Sequence, residues 1–441
     1  MAAQSWMLAV SVDDVLAPHV YVFYAAFLIS FIFTPILRTI ALYYGIIDQP
    51  DRLRKMHSEP VAYLGGVAVF LGWLAGLAMS QLHLPQGDVQ SPHLNVKISI
   101  VVGACAIVLL GLWDDLKHIK PRWKILGQVC AAVFLLLQGI GTHLLYNMIV
   151  PVDARLQILF HASHPVVPNW LTVGLSSIVT IFLVVSCCNA TNLMDGLDGL
   201  CGGVTAIIVF GFLFLAVHLA TRALAPDWDP VRIVLALALL GGVLGFIPYN
   251  FNPASIFMGD TGSMFLGYTC ATMIILLAEQ QSKWFLAALV MFALPVLDTS
   301  LAFARRYVNR RPFFSADRYH FHHQLVSRGL SIKQAVLVSY ALAIFFCFLG
   351  ALIVFMRTRY AVAFYLVIFG SLIVAAYKMG MVHETPRVVT RRSLTGEGQA
   401  SAAPMIEPAT VLEVRESDLS RAPGEMEAPS GVISVFPAGR S

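Results

Sequence analysis

Four short polar stretches interrupt an otherwise apolar chain, and each carries side chains suited to phosphate and cation chemistry. They are Trp113-Asp114-Asp115-Leu116, the run from Asn189 to Leu200 (NATNLMDGLDGL), Phe257-Met258-Gly259-Asp260-Thr261-Gly262-Ser263, and a basic run from Arg311 to His323. In the second, Asn189, Asn192, Asp195 and Asp198 recur every third residue. A helix drifts by about 60° per three-residue step, so two or three of them share a face but not all four. Gly196 and Gly199 allow close backbone approach and a tight or broken helix end. Side-chain oxygens of Asp and Asn suit a hard cation, and magnesium, which keeps waters and phosphate ligands, is the natural occupant. The fourth stretch supplies the opposite charge, since Arg and His at this density suit a phosphate or diphosphate. Zinc on His320, His322 and His323 stays open as a reading, although a helix sets His322 apart from the other two. Carboxylates with a cation on one flank and basic groups on the other make up a phosphoryl-transfer site, where positioning and charge neutralisation supply most of the catalysis.

Simple capping accounts for any one of these carboxylates. Asp260 would N-cap a following helix, and Asp195 would sit in a turn with Gly196. Capping does not account for an Asp-Asp pair and a histidine cluster together.

The chain that must position these groups has 441 residues, of which 58% are hydrophobic and only 12% charged. Its mean hydropathy is +0.75. Soluble domains are charged at about one residue in four, so most of this chain lies in a bilayer. A net charge of +4 is too slight to argue for nucleic acid. The seven cysteines fall in or beside apolar runs with no paired metal spacing and read as small buried hydrophobes. The first twenty residues lack a basic segment and contain Asp13 and Asp14, so the first apolar run is expected to be retained.

A crossing helix needs about 20 apolar residues, and about eleven stretches qualify. They are 19–44, 62–82, 97–113, 124–142, 170–188, 200–220, 231–248, 263–280, 283–303, 333–356 and 360–379. The expected fold is therefore an all-α polytopic membrane protein. Residues 1–18 form a short external N-terminus, 19–380 the membrane domain, and 381–441 a disordered cytoplasmic tail rich in Pro, Ala, Gly, Glu and Ser. Residues 143–170 are the longest external connection, long enough for a small ordered piece.

Basic clusters follow spans one, three and nine, namely Arg52, Arg54 and Lys55, then Lys117, Lys120, Arg122 and Lys124, then Arg305, Arg306, Arg310 and Arg311. The positive-inside rule makes that face cytoplasmic, with the N-terminus outside and the tail inside. The four polar stretches follow spans three, five, seven and nine, so all meet on the same face. Carboxylates near membrane depth are costly and usually functional, which favours one shared site.

The motifs resemble the signature set of the polyprenyl-phosphate N-acetylhexosamine-1-phosphate transferases. The resemblance rests on Asp114-Asp115, N-x-x-N-x-x-D-G-x-D-G-L, F-M-G-D-T-G-S and A-D-R-x-H-x-H-H, with Asp48-Gln49-Pro50, Arg54-Lys55-Met56-His57 and Gly65-Gly66 ahead of them. It covers roughly residues 20 to 380, in order. It implies that a UDP-N-acetylhexosamine gives its sugar-1-phosphate to a membrane polyprenyl (undecaprenyl) phosphate, with release of UMP, on the cytoplasmic face of a bacterial inner membrane. It further implies magnesium, with manganese as a substitute, bound by Asn192 and Asp260, and it allows a homodimer. Asp114 and Asp115 match the pair assigned as base for the lipid phosphate, and Asp195 matches a further catalytic carboxylate. Gly196, Leu197, Asp198, Asn250 and Phe257 match positions around the uridine. His320, His322, His323, Arg311 and Arg318 match the loop facing the diphosphate and sugar, while Lys55 and His57 match the first cytoplasmic loop as substrate contacts. The spacing H-F-H-H resembles the branch that starts O-antigen, common-antigen and teichoic-linkage lipids from UDP-N-acetylglucosamine. The muramoyl-pentapeptide branch, with three consecutive His, is the alternative.

Other classes fit less well. A CDP-alcohol phosphotransferase requires an Ala-Arg soon after Asp195-Gly196, and none is there. An intramembrane aspartyl protease needs a partner for Asp260 inside a span. A cation-coupled transporter would use Asp298 beside Pro295, a residue expected instead to pair with an arginine such as Arg305 or to cap an irregular helix.

Overall fold

The computed structural model describes residues 11–48, 60–82, 96–161, 163–222, 229–310 and 320–378. Helices run in chain order as α1 (Val12–Leu16), α2 (Val20–Tyr43), α3 (Gly65–Gln81), α4 (Ile98–Lys117), α5 (Pro121–Leu137), α6 (Tyr146–Phe160), α7 (Asn169–Met194) and α8 (Leu200–Thr221). They continue as α9 (Asp229–Asn250), α10 (Gly259–Ala278), α11 (Ser282–Met291), α12 (Ala293–Val308), α13 (Phe321–Ser327), α14 (Ile332–Val354) and α15 (Thr358–Lys378). Two short strands, β1 (Ile47–Asp48) and β2 (Val61–Ala62), pair antiparallel with Ile47 opposite Ala62 and Asp48 opposite Val61. The chain is an all-α polytopic membrane protein.

Each of the eleven apolar stretches holds a helix. Among the described residues eight have the length and apolarity of a crossing, with α1 and α2 counted together. The stretch expected as one span over 283–303 is a bent pair instead, α11 and α12, whose axes differ by 72°. The break falls at Phe292, between the two helices. Pro295 explains it, because proline has no N–H for the carbonyl of Met291 and its ring crowds that carbonyl. Helices α3 and α5 have 17 residues each. At 1.5 Å per residue each is about 25 Å long, short of the ~30 Å hydrocarbon layer. The connection over residues 143–170 contains an ordered piece, helix α6. The tail beyond residue 380, the first ten residues, Lys55, His57, Arg311 and Arg318 lie outside the described residues.

Helix α10 is the hub. Its apolar window is wholly buried, against 83% for α9, 78% for α8 and only 11% for α15. Lipid tails are as apolar as leucine, so helices associate in a bilayer through close packing of small residues. The contacts of α10 follow that rule. A Cβ on Gly66 of α3 would strike the backbone of Gly262, one on Gly111 of α4 would strike Thr261, and one on Gly267 would strike α7 at Cys187 and Cys188. Aromatic rings fill the space further along, with Phe265 edge-on to both Phe70 and Trp73 at 5.4 Å.

The segment leading into α10 is laced to the first ribbon. The Phe257 N–H donates to Ala62 O at 2.8 Å, and the N–H groups of Gly65 and Gly66 donate to the carbonyls of Phe257 and Met258 at 3.0 and 2.9 Å. Gly259 turns the chain into the helix at φ +72°, a conformation that favours glycine.

Gly66→Ala should lower stability by about 1–3 kcal/mol through overpacking against α10. The thermal midpoint of the purified protein in detergent reads this directly, and an unchanged midpoint contradicts the close approach.

Candidate active site

The carboxylates converge where α10 begins. Asp114 and Asp115 end α4, about 100° apart around its axis, and so face different neighbours. Asp114 turns towards α5. Its Oδ1 accepts the Ile119 N–H at 2.8 Å, which fixes the turn between the helices, and its Oδ2 is paired with the Lys124 ammonium. Asp115 turns towards α10. Its Oδ1 accepts the Asp260 N–H at 2.8 Å, and its Oδ2 accepts the Thr261 N–H at 3.0 Å and the Thr261 hydroxyl at 2.6 Å. Three donors at the start of a buried helix are thereby met by one carboxylate, which also suits the positive end of the helix dipole. A Cβ on Gly259 would lie 2.7 Å from the same carboxylate.

Asp260, in the first turn of α10, projects into the space between α5 and α7. Its Oδ2 is 2.5 Å from Lys124 Nζ, and its Oδ1 accepts from Asn192 Nδ2 at 2.7 Å. The Asn192 amide also donates to Ser263 Oγ at 3.0 Å. Lys124 thus bridges Asp114 and Asp260. The Asp260 side chain is 31% exposed and the Asp114 side chain 6%. Asp260 is therefore the member of the set that a ligand reaches.

The asparagine-aspartate run divides by its place at the end of α7. Asn189 points sideways, donating to Gln128 Oε1 and to Val185 O at 2.7 Å each, a bridge between α7 and α5. Asn192, one turn on, reaches Asp260. Asp195 stands at the C-terminal cap of α7. Burial, and after it the carboxylates of Asp260, Asp115 and Asp198, push the Asp195 carboxyl up to about 8. Asp198 secures the following loop by accepting Asn252 Nδ2 at 2.9 Å and the Ala254 N–H at 3.1 Å. Asn250 ties the same region together, accepting the Gly199 N–H at 3.1 Å and donating to Ile256 O at 3.0 Å. Leu197 is buried beneath the turn.

Phe257 lies beside Tyr63, with ring centroids 6.2 Å apart. The Tyr63 hydroxyl is hydrogen-bonded to Asp48, and burial together with that carboxylate pushes the phenol upward. The histidine run reaches the same turn from α13. A Cβ on Gly196 would collide with His322 Nε2, so glycine leaves the room in which this imidazole sits.

Asp114, Asp115, Asn192 and Asp260 thus share one hydrogen-bonded cluster, Asp195 stands within its electrostatic reach, and His322 closes on the turn at Gly196. Asp198 and Asn250 spend their polar contacts on the adjoining turn and loop. Lys124, counted in the sequence only as a loop cation, is the residue that sequence reasoning missed. Its ten-residue separation from Asp114 across the turn at Pro121 has no helical meaning until α5 folds back beside α4.

Residues 97–278, which hold this cluster, match the family model described as glycosyl transferase family 4. A Bacillus subtilis (strain 168) protein described as a probable undecaprenyl-phosphate N-acetylglucosaminyl 1-phosphate transferase is 31% identical over 385 residues, 86% of this chain and 97% of its own. The chain belongs to glycosyl transferase family 4. A second relative in this family, the decaprenyl-phosphate N-acetylglucosaminephosphotransferase of Mycobacterium tuberculosis (strain CDC 1551 / Oshkosh), is 32% identical over 366 residues, 79% of this chain and 85% of its own. A third, the phospho-N-acetylmuramoyl-pentapeptide-transferase of Desulforudis audaxviator (strain MP104C), is 31% identical over 318 residues, 69% of this chain and 86% of its own.

Among the described residues no three His, Cys, Asp or Glu side chains form a group that could hold a metal ion. The pair Asp260 and Asn192 nevertheless fits magnesium, which takes one or two protein oxygens and completes its shell with water and substrate phosphates. Their donor set is all hard oxygen once the Asn192 amide turns over, and the Asp260 carboxylate is partly open.

Two expectations follow from these charges. Lys124→Met leaves Asp114 without its cation, which should cost up to about 3–5 kcal/mol and remove activity; a stable, active variant contradicts the bridge. The second concerns Asp195. A carboxyl held above its unfolded value binds its proton more tightly in the folded chain, so stability falls as pH rises from about 4 through about 8. Asp195→Asn should flatten that part of the curve of thermal midpoint against pH, measured without divalent cations. An unchanged slope places the titration elsewhere.

Proposed function

We propose that this chain transfers N-acetylglucosamine-1-phosphate, or a related N-acetylhexosamine-1-phosphate, from its UDP-sugar to polyprenyl (undecaprenyl) phosphate, releasing UMP. The product would start a cell-envelope polysaccharide of the O-antigen, common-antigen or teichoic-linkage type. The observation that carries this reading is the convergence of Asp115, Asn192 and Lys124, the last also paired with Asp114, on Asp260 at the start of buried helix α10. The names of the Bacillus and Mycobacterium relatives agree with it. Basic loops on the side of the polar stretches favour a cytoplasmic site in a bacterial inner membrane, with the N-terminus outside.

In this reading an oxygen of the lipid phosphate attacks the β-phosphorus of the UDP-sugar in line. The bond from that phosphorus to the bridging oxygen breaks, and UMP leaves with the electron pair. Nothing in the residues calls for a covalent aspartyl intermediate. Magnesium, bound when substrate is present, would neutralise charge on the diphosphate; Asp260 and Asn192 would hold it. Asp115 keeps the first turn of α10 in place, so that Asp260 is aimed at the cleft. Lys124 lies where its ammonium can follow negative charge from the carboxylates to a phosphate. Asp195, which keeps its proton more readily than an ordinary carboxyl, is suited to exchange one with the lipid phosphate. Phe257 and the turn from Gly196 to Asp198 offer an apolar and polar wall for the nucleoside.

The Desulforudis relative supports a second reading, transfer of phospho-N-acetylmuramoyl-pentapeptide. A panel of nucleotide sugars assayed with a short polyprenyl phosphate and magnesium separates the two. UMP release is expected with UDP-N-acetylglucosamine, and release only with the muramoyl-pentapeptide donor supports the second reading. UMP release from no N-acetylated UDP-sugar removes the transferase proposal. Asp260→Asn should abolish turnover in a protein that still inserts, while a change at Arg421 in the tail leaves turnover unaltered. Normal activity of Asp260→Asn removes that residue from the site.

A further inference from the structure

Of the two roles expected for Asp298, pairing with an arginine such as Arg305 or capping an irregular helix, the structure shows a cap, on the histidine segment. Asp298 lies on α12, just past the bend at Phe292, and is 3% exposed. Its Oδ1 accepts the Phe321 N–H, the first N–H of α13, at 2.7 Å. Its Oδ2 faces two imidazoles at once, 3.3 Å from His320 Nδ1 and 3.8 Å from His322 Nδ1. Those two rings are parallel within 7° at a centroid distance of 5.7 Å, so both present the same edge to the carboxylate. The opposite edge of His322 is aimed the other way. Its Nε2 is buried without a hydrogen-bond partner and stands where a Cβ on Gly196 would be.

Burial, with His323 and His320 adding to it and the Asp298 carboxylate opposing them, holds the His322 imidazole down to about 3, which favours the neutral ring. A neutral imidazole has one N–H and one lone pair, and the group beside one nitrogen decides which it carries. A carboxylate accepts only, so the N–H belongs on Nδ1. At 3.8 Å the contact is electrostatic rather than a hydrogen bond, and the negative charge of the carboxylate favours the proton on the nitrogen that faces it.

We propose that Asp298 is a positioning residue that fixes His322 as the Nδ1–H tautomer, so that Nε2 offers a lone pair to the turn at Gly196 and to the substrate bound there. The inference deepens the transferase reading and rests on it. A neutral acceptor cannot clamp a diphosphate, which is itself an acceptor. His322 therefore takes an O–H or N–H donor of the substrates, such as a sugar hydroxyl or acetamido N–H or the proton of a lipid phosphate monoanion. The phosphate charge falls to Lys124 and to the bound cation.

The test has two independent arms. Asp298→Asn keeps an oxygen for the Phe321 N–H but turns an NH₂ towards the imidazoles, which favours the opposite tautomer. With UDP-N-acetylglucosamine, kcat should fall about 10- to 100-fold while KM changes less than about twofold and the thermal midpoint stays near that of the parent. In a His322→Ala background the same change should add less than about a twofold loss, because neighbours acting through one another are not additive. An Asp298→Asn enzyme with parental kcat overturns the proposal, as does a full additional loss in the His322→Ala background. The second arm needs no activity. Nitrogen-15 NMR of the parent protein labelled at histidine, with His322→Ala for assignment, should show His322 unprotonated at Nε2, and a proton there overturns the proposal. Because this spectrum is read without substrate, failure of the transferase reading and failure of the tautomer assignment are distinguishable.

Discussion

A carboxylate on the first turn of a helix with no exposed side must be met by donors and positive charge, and this constraint organises the molecule. Helix α10 is wholly buried along its apolar length, so its N-terminal N–H groups have little access to water. Asp115 meets two of them, and Lys124 with Asn192 meets Asp260. Each solution recruits another helix. Asp115 and Asp114 bring α4, Lys124 brings α5, and Asn192 brings α7. The candidate-site cluster and the packing of the bundle are thus one set of contacts. Removing one partner of such a buried pair is far more damaging than never having built it.

The arrangement also explains why glycines crowd the same place. Helices must come close for short side chains such as Asp and Asn to reach one another across them. Gly66 and Gly111 let α3 and α4 approach the start of α10, and Gly196 leaves the gap that His322 enters. What reads in the sequence as a glycine-rich signature is, at Gly66, a helix contact and, at Gly196, room for an imidazole. The bend between α11 and α12 serves the same site from a distance. It sets Asp298 beneath α13, where the carboxylate caps that short helix and faces two histidines.

Much of this was legible in the sequence. The apolar stretches located every long helix, because a bilayer demands about 20 apolar residues from any span. Parity along the chain puts Asp114, Asn192, Asp195 and Asp260 on one face, where the fold brings them together. What stayed hidden needed the third dimension. The adjacent residues Asp114 and Asp115 look like one motif, yet they diverge around the helix to α5 and to α10. Asp198 and Asn250 look like ligand contacts, and they are tied to the loop at Asn252–Ile256. Lys124 and Asp298 carry no local pattern, since Lys124 joins Asp114, ten residues back across a turn, to Asp260, 136 residues on, and Asp298 meets Phe321, 23 residues on. The break at Phe292 was signalled by Pro295, but an apolar run long enough for a straight span masked it.

In the proposed reaction, substrate phosphate is received at Asp260 and its neighbours on α4, α5 and α7. An experimental structure of the full chain with UDP-N-acetylglucosamine and magnesium tests it most directly. The diphosphate is expected beside Asp260 and Asn192, with the Lys124 ammonium engaged by phosphate. A nucleotide bound elsewhere, with Lys124 still closed on Asp114 and Asp260, would contradict it.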